Sequence, residues 1–171
     1  MPMEELRNRP SPTLTSEGNF VTAVNEVHKP AGPQVMRRVN YLAVGVAAIA
    51  AFVVGAVWYS PLLFGEAYLK VRGIDPRAVA DITPPAGELL GELARNLVVA
   101  FVLAHFVVRF GVARWKSALQ LGLWVWVGFQ AMLLVGAVLH EGMPWVLYAI
   151  HAGDALVKTL LMALILGAWR R

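Results

Sequence analysis

The sequence predicts an all-α polytopic membrane protein: four transmembrane helices, both ends in the cytoplasm, and a disordered N-terminal tail. Three observations carry that prediction. Hydrophobic residues make up 58% of the 171 and charged residues 15%, against roughly 45–50% and 25% in soluble domains. Stretches of the roughly 20 mostly apolar residues needed to cross a hydrocarbon core fall at 39–63, 88–110, 117–139 and 146–169. The basic residues behind the net charge of +4 flank these stretches and form no stripe with interleaved aromatics, so they orient a chain in a bilayer and do not point to nucleic acid.

Residues 1–35 scatter Pro2, Pro10, Pro12, Pro30 and Pro33 among polar residues without a period, which reads as a disordered cytoplasmic tail ahead of a transmembrane domain spanning 36–171. Met36 opens the basic-then-apolar run MRRVNYLAV, so a translation start at Met36 is the alternative. The apolar run that follows is longer than a signal-peptide core of about 7–15 residues, and no small-x-small site closes it, so it is an uncleaved anchor. It ends at Trp58-Tyr59-Ser60-Pro61, where proline lacks the N–H that would continue the helix. An external loop, 65–87, leads to Thr83-Pro84-Pro85, a helix entrance with proline in the first turn. Glu88 and Glu92 follow, where the positive end of the helix dipole favours carboxylates. The GVARWK turn is internal, and the HEGMPW turn before the fourth span is external.

Orientation comes from the Lys and Arg near the span ends. With the N-terminus inside, Lys29, Arg37, Arg38, Arg109, Arg114, Lys116, Arg170 and Arg171 are cytoplasmic, and Lys70, Arg72 and Arg77 are outside. Tryptophan favours both headgroup levels, and Trp58 and Trp145 then fall at the outer boundary, Trp115 and Trp169 at the inner one. Trp124 and Trp126 are left inside the third span. The chain is placed as a multi-pass protein of the cell membrane, the cytoplasmic membrane if the cell is bacterial.

Small residues mark close helix approaches. Ala43, Ala47, Ala51 and Gly55 recur every four residues along the first span, a groove for intramolecular packing or, alternatively, a homodimer seam. Gly128 and Gly136 around Met132, and Ala149 with Gly153, repeat the pattern less completely.

At 100° per residue, Glu88, Glu92, Arg95 and Asn96 share an arc of about 100° on the second helix, and His151, Asp154 and Lys158 one of about 60° on the fourth. Intramembrane charges cost a few kcal/mol and seek partners inside a bundle. The expected polar cluster is Arg95, Asn96, Gln130, His151, Asp154 and Lys158, with Arg95 paired to Asp154. Tyr59, Ser60 and Glu92 form its outer rim if the first helix turns that face inward. The cluster is either a clamp fixing helix register or an outward-facing cavity for a small polar ligand, an ion or a proton relay.

His105 points about 80° away from Arg95, and His140 and Glu141 are turn residues, so no matched metal or haem ligand set emerges. With no cysteine, there is no disulfide, thiolate site or cysteine nucleophile. GxSxG, HExxH and Walker motifs are absent. No cofactor and no enzymatic activity are expected. The lipid bilayer is the partner the sequence implies, with a second copy through Ala43, Ala47, Ala51 and Gly55 as the alternative use of that seam, and no small-molecule ligand can be named.

Val39 to Tyr41 (VNY), Gly55 to Gly65 (GAVWYSPLLFG), Trp126 to Phe129 (WVGF), Glu141 to Trp145 (EGMPW) and Ile150 to Gly153 (IHAG) resemble the small membrane family called domain of unknown function 1761. The resemblance covers about residues 36–171, and WYSP followed by Phe-Gly is its most specific element. It implies a four-span membrane protein without an established activity and assigns no catalytic residue. The leading expectation is a non-enzymatic structural or interaction role in the membrane; the alternative is a small-solute or ion, including proton, permeation protein using the polar cluster.

Overall fold

The computed structural model describes residues 38–79 and 84–169. The expected tail at 1–35, a start at Met36, and Arg37, Thr83, Arg170 and Arg171 lie outside them.

Among the described residues every regular element is helical: α1 (Tyr41–Trp58), α2 (Gly65–Val71), a 3-10 turn (Pro76–Val79), α3 (Ala86–Arg109), α4 (Trp115–Val125), a π turn (Trp126–Ala131), α5 (Met132–Glu141) and α6 (Trp145–Ala168). From α4 through the π turn to α5 the chain runs as one helical rod, Trp115–Glu141, so that four helices are long and apolar enough to cross a membrane.

Local chemistry sets the ends. Asn40, the centre of VNY, caps α1: its Oδ1 accepts from the backbone N–H groups of Leu42 at 3.1 Å and Ala43 at 3.2 Å, satisfying donors that a helix start leaves open. At the other end α1 stops at Trp58, five residues short of the predicted 63. There the chain folds back: Phe64 N–H donates to Trp58 O and Gly65 N–H to Ser60 O, both at 3.0 Å. A Cβ on Gly65 would collide with the carbonyls of Tyr59 and Ser60, so this turn closes only around glycine. The predicted external loop thus contains α2. Pro85 and Pro144 stand immediately before α3 and α6.

Helix α6 is central, packing against α1, α3 and the third span, while α1 also packs against α3. Ala43, Ala47, Ala51 and Gly55 are all buried in that packing. The seam is therefore filled within the chain, and a homodimer through those four residues would have to displace α3 and α6. On the other side of α6, a Cβ added to Gly167 would lie 2.9 Å from Ala118 Cβ, and one added to Gly122 3.2 Å from Ala163 Cβ. Gly128 and Gly136 differ from the expectation, since a Cβ on either meets nothing within 4 Å. Away from α2, Leu103, Val107, Met162 and Leu166 fill the core. Many of the large apolar side chains, Phe129 and Leu133 among them, are exposed on the outside, the face a spanning helix turns to lipid.

Candidate functional site

Side chains on a helix lean toward its N-terminus, and α3 and α6 both begin at the end of the bundle that carries α2. Their long polar side chains therefore reach back toward that end. Lys158 lies about 20 Å along α6, yet its Nζ turns back to Asp154 Oδ2 at 2.8 Å, one turn earlier, and crosses to Glu92 Oε1 of α3 at 2.9 Å. Lys158 is 3% exposed and Asp154 4%. Glu92 Oε1 is the hub: it also accepts from Arg95 Nη2 at 2.7 Å and Asn96 Nδ2 at 3.3 Å. Helix α1 contributes an absence. A Cβ on Gly55 would lie 2.5 Å from Lys158 Nζ and 2.7 Å from its Cε, so the bare backbone leaves the room that the ammonium occupies between α1, α3 and α6.

The predicted pairing of Arg95 with Asp154 is replaced by two others. Arg95 binds Glu92 on its own helix, where its side chain is 60% exposed, and Asp154 is held by Lys158. Asp154 Oδ1 is buried and has no hydrogen-bond partner among the described residues. Gln130 does not join this group; its Oε1 accepts from Thr159 Oγ1 at 2.9 Å. Thr159 was not among the predicted residues, although a buried hydroxyl beside Lys158 had to find an acceptor.

Toward the α2 end, Tyr59 Oη and His151 Nδ1 are joined by a 2.7 Å hydrogen bond. Tyr68 of α2 lies edge-on to both rings, its centroid 5.2 Å from Tyr59 and 5.8 Å from His151, and its Oη accepts from Arg72 at 2.6 Å. So α1 does present Tyr59 to the site. Ser60 stays local, donating to Val57 O at 2.7 Å.

Two indoles fasten α6 from either side. Trp58, expected as a belt anchor, is half-buried; its Nε1 donates to Ile150 O at 3.1 Å, and its ring covers Gly153, where a Cβ would lie 2.8 Å from Trp58 Cζ2. Trp126, unassigned by sequence, donates from Nε1 to Ala152 O at 2.8 Å. It opens the π turn, a local widening of the kind that often re-aims side chains at functional sites. His105 bonds Phe101 O of its own helix at 2.9 Å, and His140 and Glu141 are exposed. Among the described residues no three His, Asp or Glu side chains are grouped to hold a metal ion.

The profile of the family described as Protein of unknown function (DUF1761) matches residues 42–167. The chain belongs to this family. No curated protein and no solved structure matches it. In this DUF1761 chain three of the five motif segments meet at one place: GAVWYSPLLFG supplies Gly55, Trp58 and Tyr59, WVGF supplies Trp126, and IHAG supplies the Ile150 and Ala152 carbonyls, the His151 ring and the Gly153 gap.

Proposed function

We propose that the protein is a non-enzymatic integral membrane protein with a structural or interaction role, in which the charged cluster is a clamp that fixes α1, α3 and α6. The observation that carries this reading is Lys158, 3% exposed and held by one carboxylate on its own helix and one on α3. The cluster is balanced, two carboxylates against Arg95 and Lys158, and each cation sits within 3 Å of an acidic oxygen. Charges paired in this way across two helices fix their register. The distribution of Lys and Arg supports a cell-membrane protein with both ends in the cytoplasm and α2 outside.

A second reading, a permeation protein for protons or small ions, is favoured by one observation. Asp154 Oδ1 is buried and unpartnered, an acceptor that a proton or a solute donor would satisfy, and the Tyr59–His151 bond lies between it and the α2 end. Flux across proteoliposomes, measured over a panel of ions, protons and small metabolites, separates the two. The clamp expects no flux, with Asp154→Asn lowering thermal stability. Flux that Asp154→Asn abolishes while stability survives would overturn it.

A further inference from the structure

Because α6 holds α3 and the third span on different faces, an open groove of about 340 Å³ is left between them. Val98, Val99, Val102, Leu103 and Phe106 of α3 form one wall, and Val125, Phe129 and Gln130 the other. The α3 wall is a stripe at spacings of four, Val98, Val102, Phe106, and the same stripe ends at Arg109. At 100° per residue Arg109 falls about 20° from Val102 and about 60° from Phe106, so the groove leads onto it. Arg114 and Lys116 follow at once in the α3–α4 turn, and all three cations are exposed. Lys116 Nζ rests 5.6 Å from the Trp115 ring. No Asp or Glu occurs between Glu92 and Glu141, and among the described residues no ion pair involves any of the three cations.

We infer that this groove and the basic turn form a binding site for one anionic phospholipid, an acyl chain lying between α3 and the third span and the phosphate headgroup against Arg109, Arg114 and Lys116. The inference rests on the membrane-embedded part of the proposed function and not on the clamp. From Val98 to Arg109 is about 16 Å of helix, a length that an acyl chain lying along the apolar wall can follow, so that its headgroup end arrives at the basic turn. Charge selects the headgroup: juxtamembrane Lys and Arg attract anionic lipid, and basic pockets between spanning helices hold such headgroups.

The test is native mass spectrometry of the full chain in mild detergent, titrated with phosphatidylglycerol or with phosphatidylcholine of identical acyl chains. The expected result is at least fivefold greater retention of phosphatidylglycerol. Arg109→Gln, Arg114→Gln and Lys116→Gln together should equalise the two lipids. Val102→Trp, or Val98→Trp should the first fail to fold, should fill the groove and remove the bound phosphatidylglycerol. Equal retention by the unaltered protein overturns the inference, and so does a groove-filled variant that keeps its phosphatidylglycerol. Lys158→Met reads the clamp separately: it should lower the unfolding temperature while leaving the ratio of the two lipids unchanged.

Discussion

Replacing Lys158 by methionine removes a buried cation and keeps most of its apolar volume. Glu92 is 33% exposed and retains Arg95 and Asn96, so it is left nearly satisfied. Asp154 is not. Its Oδ2 loses its 2.8 Å partner and its Oδ1 already has none, which leaves a carboxylate isolated in a site 4% exposed. Breaking a buried pair from one side costs about 3–5 kcal/mol. At roughly 2–4 °C per kcal/mol for a chain of this size, the apparent Tm should fall on the order of 10 °C. Intrinsic tryptophan fluorescence during a thermal ramp in detergent reads this directly. The companion variant, Lys158→Met with Asp154→Leu, removes both charges, and because apolar replacement of a whole buried pair is often neutral, it should recover most of the loss. A single variant within about 2 °C of the unaltered protein, or a double variant no better than the single, would refute the argument that Asp154 depends on Lys158.

The exposed Arg95 contrasts with this, and Arg95→Gln should cost no more than about 1 kcal/mol, the range of solvent-screened pairs, by the same thermal assay. Gly55→Ala places a methyl against a Lys158 ammonium that two carboxylates hold still; overpacking of this kind costs about 1–3 kcal/mol, and Lys158→Met should relieve part of it. Thr159→Val or Gln130→Leu alone leaves a polar group without its partner and should cost about 1–3 kcal/mol, while the pair of changes should approach neutrality in a double-mutant cycle. Asn40→Ala deletes the α1 cap and should lose about 1 kcal/mol, with faster amide exchange confined to the first turn as the diagnostic signature.

What the sequence made legible was set by period and length. Twenty apolar residues in a row identify a span whatever it packs against, and the small-residue repeat from Ala43 to Gly55 marked the face of α1 that is buried. The arcs on α3 and α6 brought Glu92, Asn96, Asp154 and Lys158 to one site. What periodicity could not supply was the choice among partners, which depends on side-chain length and lean. A lysine on α6 leans back toward Asp154, and its reach lets it cross to Glu92 as well, which leaves Arg95 paired on its own helix. The inward turn of Tyr59 was invisible for a related reason: it follows from Gly65 closing the turn after Pro61 and from Gly153 admitting the Trp58 ring, contacts between segments far apart in sequence. The π turn leaves no mark in composition, and Trp126 therefore looked unassigned.

The two functional readings differ over the far half of the bundle more than over the cluster itself. From Tyr59 and His151 the polar groups run inward through Asp154 and Lys158 to Thr159 and Gln130. Beyond them Leu103, Val107, Met162 and Leu166 close the core with Ala104 and Ala163, all buried. A permeating ion would have to part this apolar layer and also displace Lys158 from two carboxylates, leaving charges uncompensated in a medium where each costs several kcal/mol. A clamp requires neither movement. It needs only that α6 stay in register with α1 and α3, and the Trp58 and Trp126 indoles, bonded to the Ile150 and Ala152 carbonyls from opposite sides, hold α6 at the level where the ion pairs form. The unpartnered Asp154 Oδ1 marks where protonation would act: a proton there weakens the hold on Lys158 without opening the apolar layer, so its expected consequence is loosened helix packing and not flux.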